Sequence, residues 1–272
     1  MKRAKVNGVE LEYEVIGSGE PVLLISPVLA DGFVPLIAER SLAEHYQLIR
    51  YHKRGWVGST HAPGPVAVSD HAADALALLE HLGITRAHVA GHSSGAAVGA
   101  QLALDSPETV VTLTLLELSL LSLSRAEAFF AQAGPAFEAY AAGDAESALS
   151  LFMGVVTGMD WPTCEALFEA RVPGMVAQSV KDADTFFEVE LPGLGQWAFT
   201  AEHAAAIHCP VLSVLGAKTQ PLWVEVAEFL RASLPNVEQC SVKEVGHLLH
   251  IQRAKPVAQA LGKFLRHNPI TN

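Results

Sequence analysis

Short runs of Val, Ile and Leu alternate along this chain with longer stretches in which apolar residues recur at three- and four-residue spacing. Runs of the first kind suit strands buried on both faces, and the second suit helices that cover them. Their alternation predicts a mostly parallel, twisted sheet flanked by helices, an α/β fold. Seven strands are expected, over 9–16, 22–25, 47–51, 87–90, 110–117, 211–215 and 237–242. Ala73, Leu76, Leu79 and Leu82 share one helical face, which Ser69 or Asp70 is placed to cap and Gly83 to stop. Pro256 can open the last helix. From about residue 120 to 208 the rhythm changes, with helical patterns around 125–142, 145–157 and 163–180 and no strand between them. The expected division is an α/β core, 1–119 and 209–272, interrupted by an inserted helical cap, 120–208.

One junction between strand and helix carries chemistry. Gly91-His92-Ser93-Ser94-Gly95 follows an apolar run and leads into an Ala-rich helical stretch. A serine on such a sharp turn has a strained backbone, and glycines two residues to either side let strand and helix pass without Cβ clashes. The Ser93 hydroxyl then projects from the sheet. The Ser94 N–H sits at the helix N-terminus, where it can meet the oxyanion formed when Ser93 attacks a carbonyl.

Composition narrows the partners. The formal charge of −11 opposes nucleic acid and anionic membrane surfaces, and no apolar stretch approaches the roughly 20 residues that span a bilayer. The N-terminus lacks a secretory h-region, and three widely spaced cysteines, Cys164, Cys209 and Cys240, read as reduced thiols of a cytoplasmic protein. No Gly-rich phosphate loop or metal-ligand spacing is present, so no cofactor and no metal are expected.

A serine hydroxyl needs a base and a group to orient that base. His247, in the loop after the last strand, shares the sheet edge that carries Ser93 and is the expected base; His92, His250, His203, His208 and His81 read as packing or surface residues. Glu117 closes the apolar run from Val110, beside the strand that delivers Ser93. A charge ending so apolar a strand is costly without a partner such as an imidazole N–H. Glu117 is therefore the expected acid, with Asp31 and Glu244 as the alternatives.

Ser93 in its elbow, a carboxylate after the following strand, His247 in a Val-Gly-His loop and the helical insertion together resemble the α/β-hydrolase superfamily. In the usual arrangement the acid follows the seventh strand, but here Gly216-Ala217-Lys218-Thr219-Gln220-Pro221 contains no carboxylate. Glu117, 24 residues after Ser93, resembles instead the acid of members whose acid follows the sixth strand. Zearalenone lactonases are similar in the elbow, Ser93-Ser94-Gly95-Ala96, and in the pair Gly216-Ala217. Haloalkane dehalogenases and related epoxide hydrolases carry an aspartate nucleophile, so Ser93 excludes their alkylation chemistry. Two departures stand out. Ser26-Pro27-Val28-Leu29 replaces the usual His-Gly, which leaves the second oxyanion donor between the backbone N–H groups of Leu29 and Val28. His52 replaces the aspartate of the Asp-x-Arg-Gly-x-Gly-x-Ser loop, a change expected to affect packing.

What the resemblance implies is a serine hydrolase that cleaves a carboxylic ester or lactone through an acyl-enzyme. The insertion's aromatic residues, with Trp56, Phe129, Trp161, Phe187 and Trp197 as candidate substrate contacts, point to a small apolar substrate. A C–C bond hydrolase or lyase on the same scaffold and a low-turnover ligand-binding homologue remain as alternatives. A homodimer is left open.

Overall fold

A computed structural model describes residues 1–271. In chain order its strands are β1 (Lys2–Val6), β2 (Val9–Ile16), β3 (Glu20–Ile25), β4 (Tyr46–Tyr51), β5 (Ala87–His92), β6 (Val110–Leu116), β7 (Val211–Gly216) and β8 (Val237–Val242). They form one sheet in the order β1-β2-β4-β3-β5-β6-β7-β8. The pairs β1/β2 and β2/β4 are antiparallel and the rest are parallel. β5, which ends at His92, is buried along its whole length.

The helices of the core are α1 (Val34–Ile37), α2 (Arg40–Ala43), α3 (Val68–His81) and α4 (Ser94–Asp105) before β6. Between β6 and β7 come α5 (Arg125–Ala141), α6 (Ala145–Thr157), α7 (Trp161–Arg171), α8 (Met175–Lys181), a π-helix (Thr185–Glu190), α9 (Leu191–Gly195) and α10 (Ala201–Ala206). The chain closes with α11 (Pro221–Ser233), α12 (Leu249–Gln252) and α13 (Ala254–His267). Two apolar clusters cover the two faces of the sheet. One takes Leu23, Ile25, Val89, Leu113 and Leu115 and continues into Phe129, Phe152 and Phe186 of the helices between β6 and β7. The other takes Val22, Leu24, Ala90 and Leu116 with α13.

Three expectations are corrected. An eighth strand, β1, lies at the edge; only its Ala4 and Val6 are buried, while Lys2, Arg3 and Lys5 face water, so its apolar signal is too thin to register. Helix α3 is capped by neither Ser69 nor Asp70, because it begins earlier, with Ala67 at the cap position and no side-chain cap bond. The helical pattern over 163–180 is two helices, broken at Val172-Pro173-Gly174 with Gly174 at φ +84°. The residue before a proline avoids the helical region, and glycine takes the left-handed turn that restarts the chain.

Candidate active site

Ser93 stands between β5 and α4 at φ 55°, ψ −119°. The glycines around it have no room to be anything else. A Cβ on Gly91 would lie 2.3 Å from the Gly95 carbonyl oxygen, and one on Gly95 would lie 2.1 Å from that of Ile25. The turn is fastened to the neighbouring strand, since the Ser93 N–H donates to Leu116 O (3.0 Å) and the Ser119 N–H donates to Ser93 O (3.2 Å). In this state the Ser93 hydroxyl lies 2.9 Å from the Ser119 hydroxyl.

Glu117 also has a positive φ, 46°, as the chain leaves β6. Its N–H is held by Val214 O (3.0 Å). Its carboxylate receives three donors: the Gly216 N–H at 2.6 Å, the Thr219 hydroxyl at 2.7 Å and His247 Nδ1 at 2.7 Å. Burial pushes the Glu117 carboxyl above the usual carboxylate range, and the Gly216 and Thr219 hydrogen bonds work against that rise. The loop after β7 therefore solvates this carboxylate rather than supplying one.

His247 is 4% exposed, and burial holds its imidazole well below the ordinary histidine value. With Nδ1–H given to Glu117, Nε2 is the free acceptor of the neutral ring. The ring lies between Trp223, at 3.9 Å between centroids, and His92, at 4.5 Å. His92 borders the same cavity as Ser93 and donates Nε2–H to the His247 carbonyl at 2.8 Å. His250 is fully buried against the other side of His92, with ring centroids 3.9 Å apart. Of the two alternative acids, Asp31 pairs with Arg50 and His52, and Glu244 is exposed at φ 59°.

Ser93, Ser94, His247, Val28 and Leu29 all line one cavity, together with Pro27, Ser119, Leu121, Phe129, Phe152, Phe186 and Trp223 among others. No charged side chain faces it. About 50 Å³ is open to the centre of a water molecule, room for only a few waters where a single one needs roughly 10–15 Å³. Of the aromatic candidates, Phe129 is in this lining. Trp56 and Phe187 line a second small cavity, which shares Val28, Phe152, Met153 and Phe186 with the first. Trp197 stacks on Phe199 and donates to Gln101, and Trp161 opens α7; neither borders these two cavities. Ser119 is the site residue that sequence reasoning missed, because a serine three residues past the strand has no pattern around it. No group of His, Cys, Asp and Glu suited to a metal ion occurs among the described residues, and no helix there is long and apolar enough to cross a membrane.

A model of the alpha/beta hydrolase fold family matches residues 28–254. A protein named "Putative carbamate hydrolase RutD" from Klebsiella pneumoniae is 30% identical over 244 residues, covering 87% of this chain and 88% of its own. Rhodomycin D methylesterase DnrP from Streptomyces peucetius is 28% identical over 282 residues, with 89% of each chain covered. Among solved structures, a thermophilic esterase from Thermogutta terrifontis superposes with a TM-score of 0.81 at 21% identity, covering 98% of this chain and 99% of that one. The matched span includes the elbow, the end of β6 and the His247 loop, and the protein belongs to the α/β-hydrolase fold family.

Proposed function

We propose that this α/β hydrolase cleaves a neutral carboxylic ester or lactone of an apolar molecule, using Ser93 as nucleophile, His247 as base and Glu117 as the acid that orients it. The observation that carries the reading is the buried contact of 2.7 Å between His247 Nδ1 and a Glu117 carboxylate that already holds two other donors. Such a carboxylate fixes one imidazole tautomer and leaves Nε2 free to accept a proton, and His247 and Ser93 line the same cavity.

Attack begins as the Ser93 hydroxyl turns from Ser119 to His247 Nε2 and gives up its proton. Oγ adds to the substrate carbonyl, and the Ser94 N–H, with that of Leu29 or Val28, holds the oxyanion; one such donor is worth about 3 kcal/mol in comparable sites. The imidazolium, steadied by Glu117, protonates the departing alkoxide, and an acyl-Ser93 ester remains. Water activated by the same imidazole then releases the acid. In this reading residues 120–208 act as a cap over the pocket, and the similar elbow of zearalenone lactonases supports a lactone among the substrates.

An anionic carbamate fits less well, because the cavity lining offers no cation to receive it. A neutral acyl group meets only apolar walls and the N–H donors.

A fluorophosphonate probe tests the assignment. Rapid 1:1 labelling mapped to Ser93 is expected, and Ser93→Ala should abolish it. Glu117→Gln should lower kcat by about three to four decades while the protein stays folded, as loss of the orienting acid does elsewhere. Unchanged ester turnover in that variant would overturn Glu117 as the acid. The pH profile supplies a second test. The base must be neutral, and burial places its pKa below the ordinary value of about 6.5. Burial has the opposite effect on Glu117, whose carboxyl is raised to about 7, so the orienting carboxylate takes the first proton and kcat/KM should fall below about pH 7; a profile level down to pH 5 would contradict an orienting acid buried in this way.

A further inference from the structure

Four polar side chains that this hydrolytic scheme leaves idle meet beside the elbow, where the helical insertion rests on the sheet core. Glu190 ends the π-helix and Lys53 lies in the loop after β4; they are 4% and 2% exposed. Lys53 Nζ is paired with Glu190 Oε1. The same oxygen accepts the hydroxyl of Ser94. The other carboxylate oxygen accepts the Trp56 indole N–H at 2.6 Å, and Lys53 Nζ also lies 3.4 Å from Ser94 Oγ. Three donors from the core thus converge on one carboxylate from the insertion.

Stability alone accounts poorly for this arrangement, because a buried ion pair is commonly matched or bettered by an apolar pair of the same volume. Nor is it needed to seat the π-helix. That segment is also held by the Thr185 hydroxyl on Gly55 O at 2.8 Å and by the Val66 N–H on Val189 O at 3.2 Å. What the carboxylate holds and these bonds do not is Ser94, whose backbone N–H faces the oxyanion in the scheme above. An oxyanion donor is effective only when its direction is fixed before charge develops.

We propose that Glu190 is a positioning residue for the oxyanion hole. It grips the Ser94 hydroxyl and so fixes the aim of the Ser94 N–H, with Lys53 balancing its charge and Trp56 fixing its second oxygen. Because Glu190 belongs to the insertion and Ser94 to the core, seating the insertion and completing the oxyanion hole become one event. The proposal rests on the hydrolytic reading of Ser93 and Ser94.

The test is a mutant cycle on p-nitrophenyl acetate, with fluorophosphonate labelling beside it. Glu190→Gln alone strands the Lys53 charge, so the variant of choice is Glu190→Gln with Lys53→Met, which removes both charges. It should fold, judged by circular dichroism and Tm, while kcat falls 10- to 100-fold and KM changes less than threefold. Ser94→Ala keeps the N–H and the ion pair but cuts the link, and it should lower kcat over the same range. Combining all three substitutions should cost no more than the larger of the two losses, because both act through one N–H. Wild-type kcat in Ser94→Ala, or losses that multiply in the combined variant, would overturn the positioning role, even if the doubly substituted protein failed to fold. A wild type that neither labels at Ser93 nor turns over the ester would bring down the hydrolytic reading, and the positioning role with it. A wild type that labels while every variant matches it brings down the positioning role alone.

Discussion

Ser93, Glu117 and Val57 each have a positive φ that L side chains rarely adopt, 55°, 46° and 53°. At Ser93 and Glu117 the strain presents a hydroxyl and a carboxylate at the sheet edge, a familiar use of such conformations. At Val57 it serves no proposed step, and a β-branched side chain is the worst suited to it. The left-handed state costs a non-glycine residue about 1–2 kcal/mol, and the extra entropy glycine loses on folding returns about 0.5–1 kcal/mol of that. Glycine also gives up the packing of a half-buried side chain against the core, about 1 kcal/mol, so the two effects offset and Val57→Gly should change stability by less than about 1 kcal/mol by calorimetry, with kcat unchanged. The residue scale is also where reading the sequence succeeds and fails most clearly. Gly91 and Ser93 are legible because their reason is local, a Cβ on Gly91 meeting the Gly95 carbonyl of the same turn; Gly95 is legible only through its spacing, since its neighbour is the Ile25 carbonyl of β3. Lys53 and Glu190 are not, because charged residues default to solvent and only the folded chain brings together two residues 137 positions apart.

Among the elements, the strands from β2 to β7 are legible because their apolar runs are continuous or alternate, and β8, at the sheet's edge with only Val242 buried, is legible from the valines at its two ends. β1 is hidden by its cations, and it earns its place by pairing with β2, where Arg3 bridges Glu10 and Glu12. In the insertion, α5 and α6 follow the expected periodicity, whereas the break between α7 and α8 needed the Pro-Gly pair to be weighed above the helical spacing. Phe152 on α6 and Phe186 on the π-helix, with ring centroids 4.7 Å apart, border both small cavities. Phe186→Ala should join the two. The expected result is a shift of kcat/KM from acetate toward hexanoate and octanoate across a series of p-nitrophenyl esters, at a cost in stability of about 3–5 kcal/mol for a buried Phe. An unchanged chain-length profile would show that the second cavity is not reached by substrate.

At the scale of the whole molecule, acid is the expected weakness. Burial lowers the pKa of His71, to about 3, and depresses His92, His247 and His250 as well. Histidines buried in the neutral form bind fewer protons folded than unfolded, so their contribution is complete above pH 6.5 and drains away as pH falls below it. Each contributes a slope of at most about 1.4 kcal/mol per pH unit. His88 is lowered by burial too, while Glu117 and Asp182, raised by burial, act in the opposite sense, two groups against five. Asp31 adds nothing until lower pH: burial opposes its charge, but hydrogen bonds and attraction from His52 and Arg50 hold it at about 2, so its share is lost only below about pH 4. Tm should fall steadily from pH 7 to pH 5, and more gently in His71→Leu, whose two ring nitrogens have no partner to lose. A flat Tm over that range would contradict burial as the cause.

The position of Thr219 has a consequence for descent. Its hydroxyl lies 2.7 Å from the carboxylate oxygen that His247 uses, and it stands in the loop after β7, where most members of the superfamily keep their acid. Two adjacent loops thus meet at the single carboxylate oxygen that faces the imidazole. Glu117→Gln combined with Thr219→Asp would test whether the duty can change hands. A lineage passing through an ancestor with carboxylates on both loops would never have lacked an orienting acid, so the acid could migrate between strands without an inactive generation.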